Sequence, residues 1–73
     1  MEIKLFAMKN LPDGSSTICE PNEVASFYDV IVQDAQGEIV EEKEDMVNYA
    51  DAEAALDEMV LKYPDAGVSF SWE

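Results

Sequence analysis

Carboxylates are almost the only side chains in this sequence that could do acid–base or ligand chemistry. Its 73 residues hold 17 Asp and Glu against four lysines (Lys4, Lys9, Lys43, Lys62), with no histidine and one cysteine. Two carboxylates can divide the roles of acid and base when their surroundings push their pKa values apart. That requires burial of at least one of them, and acids this abundant must lie mostly on exposed faces, so catalysis by a carboxylate pair is not expected. The stretch DAQGEI has the outline of the centre of a calcium loop, but its register fails. With Gly37 as the turn glycine, the first ligand position falls on Val32, and the last, which needs a bidentate glutamate, falls on Lys43. Zinc and iron have no ligand set without histidine and with one cysteine, so neither metal nor cofactor is expected. Cys19 has no base to deprotonate it, and the neighbouring Glu20 favours the neutral thiol. It reads as a loop residue or a partly buried small side chain.

The remaining constellation is the negative charge itself. Glu38 to Asp45 reads EIVEEKED, and Asp51, Glu53, Asp57 and Glu58 follow, nine acids within 21 residues against one lysine. Glu42 and Glu44 lie two apart on a strand, roughly 6.5 Å along it. Glu53 and Asp57 lie four apart on a helix, about 6 Å along its axis. Such separations resemble those between neighbouring phosphates of a nucleic-acid strand. Solvation is the simpler explanation of an acidic face, yet solubility of a small domain needs a net charge of only about 2 to 8. This chain carries -13. Like charges at i,i+4 also weaken a helix by a few tenths of a kcal/mol. Glu38, Glu41, Glu42, Glu44, Asp45, Glu53, Asp57 and Glu58 are therefore candidate partner-binding residues.

The elements that must position them can be read from periodicity. Glu2 to Lys9 alternates as a strand, with Ile3, Leu5 and Ala7 on one face and Lys4, Phe6 and Met8 on the other. Residues 10 to 22 read as loop, turning at Leu11-Pro12-Asp13-Gly14 and closing at Pro21-Asn22. Val24 to Asp34 is the strongest strand, with Val24, Ser26, Tyr28, Val30 and Val32 opposite Ala25, Phe27, Asp29, Ile31 and Gln33. Asp34-Ala35-Gln36-Gly37 predicts a tight turn returning Glu38 to Asp45 as the second arm of a hairpin. Asn48 or Asp51 caps a helix whose stripe is Ala52, Ala55, Leu56, Met59, Val60 and Tyr63, ended by Pro64. Val68, Phe70 and Trp72 then alternate in a last strand.

The order β-β-β-α-β predicts one α+β domain over residues 1–73: an antiparallel sheet of three to four strands with one helix packed on one face. The helix-side core would be Ile3, Leu5, Tyr28, Val30, Val32, Leu56, Met59, Val60, Tyr63, Val68, Phe70 and Trp72. Phe6, Met8, Phe27 and Ile31 then point away from the helix, and only Leu11 and Ile18 of the long loop could cover them. These four residues are a second candidate partner-binding surface.

A chain of 8.1 kDa buries only roughly 60% of its unfolded surface, too little for a deep cleft with its own supporting shell, so a non-enzymatic role is expected. Four scattered lysines cannot form a phosphate-binding patch, and direct nucleic-acid binding is not expected. Neither is membrane association, since no apolar run approaches about 20 residues. The start, MEIKLFAMK, lacks the features of a secretory signal, which points to the cytoplasm.

In size, in charge and in its α+β layout, with EIVEEKED and the acid-faced helix DAEAALDEMVLKYP, the chain resembles the small phage-encoded inhibitors of bacterial defence. These include anti-CRISPR proteins, several of which imitate nucleic acid. The resemblance implies a stoichiometric inhibitor acting in the host cytoplasm, one that occupies the basic groove of a nucleic-acid-binding protein or nucleoprotein complex. The alternative is a small structural or accessory domain that forms a homodimer through its apolar sheet face, with the acids serving solvation.

Overall fold

A computed structural model describes residues 1–20 and 22–72; Pro21, expected to close the first loop, lies outside them. The chain forms β1 (Glu2–Asn10), β2 (Ser16–Ile18), β3 (Phe27–Gln33), β4 (Ile39–Met46), α1 (Tyr49–Lys62) and β5 (Gly67–Phe70). The α+β class and the single helix are those the patterning predicts. The sheet has five strands in the order β2-β1-β3-β4, with β5 also paired to β1. Strand β1 is antiparallel to β3 along Glu2 to Met8, and its other edge is divided: β5 takes Glu2 to Leu5 and β2 takes Met8 to Asn10.

The extra strand, β2, comes from the expected loop. Leu11 and Ser15 close a tight turn, with Gly14 at φ 90°, and Ser16, Thr17 and Ile18 return along β1. The expected Val24–Asp34 strand begins only at Phe27, because its pairing with β1 stops at Met8; Val24 is 90% exposed. Strand β5 runs parallel to β1 rather than antiparallel. Since β4 is antiparallel to β3 and β3 to β1, β4 and β5 point the same way, and only a crossover can join them. Helix α1 is that crossover, laid over β1, β3 and β4.

Its buried stripe, Ala52, Ala55, Leu56 and Met59, closes on Ile3, Leu5, Val30 and Val32. Tyr28, Met46, Tyr63, Ala66, Phe70 and Trp72 pack around that centre half-buried. The two alanines present little side chain, which lets the helix sit close to the sheet. Asn48 stands at the N-cap without a side-chain cap bond, and its carbonyl accepts from the Asp51 and Ala52 N–H groups. Two expected core residues are exposed, Val60 at 39% and Val68 at 42%. Val60 lies on the flank of the stripe, and Val68 belongs to an edge strand that the helix does not reach.

The β3–β4 ladder shifts register twice. Val30 faces Lys43 but Tyr28 faces Met46, so Asp29 is opposed by two residues, Glu44 and Asp45. Asp45 takes φ 59° there, and its N–H donates to Asp29 Oδ1 at 3.1 Å. A bulge of this kind switches which residues face inward. It brings Met46, not Asp45, to the helix side.

Candidate functional site

The alternation of β4 separates the acids that the sequence groups together. Glu41 and Lys43 pair with Val32 and Val30 and so face the helix, whereas Glu42 pairs with Ile31 and faces the opposite side. On the helix side, Lys62 Nζ donates to both Glu41 carboxylate oxygens at 2.9 Å, Tyr63 Oη donates to Glu41 at 3.0 Å, and Lys43 donates to Glu58 at 2.7 Å. Hydrogen bonds from Lys62 and Lys43 hold the Glu41 and Glu58 carboxyls below the usual carboxylate range. Both acids are already neutralised within the chain.

Of the other candidates, Glu38 sits at the hairpin turn with its N–H on Asp34 Oδ1, and Asp45 occupies the bulge. Glu53 and Asp57 are exposed. At 3.6 residues per turn they lie on the helix flank opposite Glu58 and Lys62. The eight acids thus occupy several surfaces and do not form one rail of charge.

On the face away from the helix, the two candidate surfaces meet. Phe6, Met8, Ile18, Ile31, Asp29, Glu42 and Glu44 line a shallow groove of about 290 Å³. Phe6, Met8, Phe27 and Ile31 are half-buried by one another, and the loop does not cover them. Ile18, through β2, sits beside Met8 and remains 45% exposed, widening the apolar floor instead of roofing it. Phe27 pairs with Met8 on this face but lies outside the groove lining.

Among the described residues no lysine pairs with the groove's acids. Partial burial raises the Asp29 carboxyl above its ordinary range, with repulsion from Asp45 and Glu42 adding to the effect, while the bond from the Asp45 N–H opposes it. The Glu42 carboxylate raises Glu44 by its charge and by hydrogen bonding. Lys9 pairs with Glu23, Lys43 with Glu58 and Lys62 with Glu41. Lys4, which shares the groove's face opposite Ile31, lies 3.6 Å from Glu2. Each lysine is therefore committed to an acid outside the groove.

Asp29 is a groove residue that the sequence reading did not single out, and Ile18, expected as a possible cover for the patch, lines the groove instead. The signal for Asp29 was present: an acid in the interior of the apolar run FYDVIV must keep its water or find a partner. That Ile18 would extend the floor and not roof it could not be read, because this depends on β2 pairing with β1. Among the described residues no group of three His, Cys, Asp or Glu is placed to hold a metal ion, and no helix is long and apolar enough to cross a membrane. No protein-family model matches the chain, and no curated protein or solved structure is significantly similar to it.

Proposed function

We propose that this chain is a non-enzymatic binding protein that docks on a basic, nucleic-acid-binding protein through the outer face of its sheet and blocks it, as a phage-type inhibitor would. The observation that carries this reading is the groove, where an apolar floor of Phe6, Met8, Ile18 and Ile31 adjoins Asp29, Glu42 and Glu44, three acids without a lysine partner. The net charge of -13 would steer encounter with a basic surface. Desolvated lysines or arginines of the partner would then replace the phosphates they ordinarily contact, while the floor excludes water. A cation there also relieves the repulsion that raises Glu44.

The same charge disfavours the homodimer. Stacking two copies on this face would bring six carboxylates together, counting Asp29, Glu42 and Glu44 from each.

The test uses the double variant Glu42→Lys/Glu44→Lys beside Ile31→Asp. The wild-type chain should displace DNA from basic DNA-binding proteins in a competition assay, more weakly as salt rises. Both variants should lose displacement while remaining folded by circular dichroism. Equal displacement by the folded charge-reversed variant overturns the reading. A wild-type chain that sediments as a dimer, and a monomeric Ile31→Asp variant, would instead establish the self-associating domain.

A further inference from the structure

On the helix side of the sheet, past the N-terminus of α1, a second cavity of about 330 Å³ is lined by Ala7, Cys19, Glu20, Glu23, Ala25, Tyr28, Tyr49 and Trp72. Three of its walls are aromatic. Tyr49 meets Tyr28 with ring centroids 5.4 Å apart at 67° and Trp72 with centroids 6.2 Å apart at 60°. In such edge-to-face contacts the edge of one ring covers part of the face of the other, and Phe70 packs on Trp72 with centroids 5.1 Å apart, so the ring surface that these contacts leave uncovered is what lines the cavity. Each face carries the negative lobe of the ring quadrupole, which attracts a cation within about 6 Å of the centroid.

The rim adds one net negative charge, because Lys9 offsets Glu23 and Glu20 is left over. Glu23 is fixed in place, since Lys9 pairs with one of its oxygens and the other accepts the Glu20 N–H at 2.8 Å. Glu20 is exposed at the cavity, and its carboxylate accepts no hydrogen bond from the described residues. An anion at the helix N-terminus would meet the Glu20 carboxylate. An uncharged apolar ligand would strip water from Glu20 and give nothing back.

We propose that this cavity is a binding site for an organic ammonium group, held against the faces of Tyr28, Tyr49 and Trp72 and balanced by Glu20. The group is either the head of a lysine side chain, methylated or unmodified, or that of a small free quaternary amine. The site stands apart from the groove, on the other side of the sheet, and does not depend on the function proposed for it.

Trp72 is the chain's single tryptophan and reports directly on its own cavity. The intact protein is titrated with choline, with the N-acetyl methylamide of dimethyl-lysine, and with 3,3-dimethylbutanol, the uncharged counterpart of choline. At least one cation should change Trp72 emission saturably with a dissociation constant of about 1 mM, the strength expected of a few partly exposed rings. The uncharged alcohol should not. Saturation by choline alone assigns a free amine, and saturation by the lysine derivative assigns a side chain.

Tyr49→Leu, which keeps bulk but removes the ring, should weaken binding about fivefold. Glu20→Gln should weaken it severalfold, and Glu42→Lys/Glu44→Lys should leave it unchanged. No saturable response to either cation, equal binding of the alcohol, or a folded Tyr49→Leu protein that binds as wild type would each overturn the proposal.

Discussion

Asp29 and Glu44 have carboxyls raised above the ordinary range, whereas Glu23, Glu41 and Glu58 have carboxyls lowered by their lysine partners. The two groups act on stability with opposite sign. A raised carboxyl is more easily protonated folded than unfolded, so its ionisation opposes folding, and that penalty is relieved as pH falls through the raised folded value. A lowered carboxyl contributes stability above its unfolded pKa and loses it as pH falls through the depressed folded value. Stability should therefore rise on mild acidification from neutrality, pass a maximum just above the ordinary carboxylate range, and fall below that range. A thermal-midpoint series against pH checks this, and Asp29→Asn, which keeps the acceptor for the Asp45 N–H, should flatten the rise. At Asp45, where φ is 59°, Asp45→Gly should stabilise the fold by about 1 kcal/mol, measured by urea denaturation. Alternation alone placed Asp29 on the outer face. That it would be opposed by two residues could not be read, because a bulge is a property of two strands together.

At the scale of elements, legibility followed locality. The β3–β4 turn could be read because its chemistry is contained in four residues. Asp34 Oδ1 accepts from the Gln36 and Glu38 N–H groups, and Gly37 sits at φ 84°. Gly37→Val should cost more than about 1 kcal/mol, seen as a lower urea midpoint with unchanged slope. The helix was legible through its stripe, and truncating its one large fully buried member, Met59→Ala, should cost about 2–5 kcal/mol. Trp72→Ala should cost less than Met59→Ala, since Trp72 lies half-buried in the turn after β5. What escaped the sequence was non-local. Ser16–Ile18 is too short to announce a strand, and the direction of β5 follows from the crossover that α1 makes. Tyr28 and Trp72 were legible as apolar, but not as walls of one cavity with Tyr49, since they meet only after three separate elements assemble.

For the whole molecule, charge outweighs the few ion pairs. The four lysine pairs are exposed to partly exposed, a setting in which each contributes about 0–1 kcal/mol. Self-repulsion from a net charge of -13 acts across the whole surface and is screened by salt. Raising sodium chloride from about 10 mM to about 500 mM should therefore raise the melting temperature, by about 4–8 °C for each kcal/mol relieved in a domain this small. A melting temperature that fell with salt would show that the ion pairs dominate.

The strand order leaves β4 at the sheet's outer edge, its free backbone groups open to any other extended chain. Such an edge is a template for intermolecular strand addition unless something blocks it. Here the obstacle is the run Glu41–Asp45 with its bulge, where like charges on an approaching copy repel and the irregular backbone spoils the register. Acids so placed would also hinder fibril growth, in a way that needs no partner. Protonation removes that hindrance. Near the isoelectric point of about 4.1, β4 should become adhesive, and thioflavin-positive aggregates should appear there but not at neutral pH. Glu42→Gln/Glu44→Gln, which lowers charge without acid, should shift that onset toward neutrality.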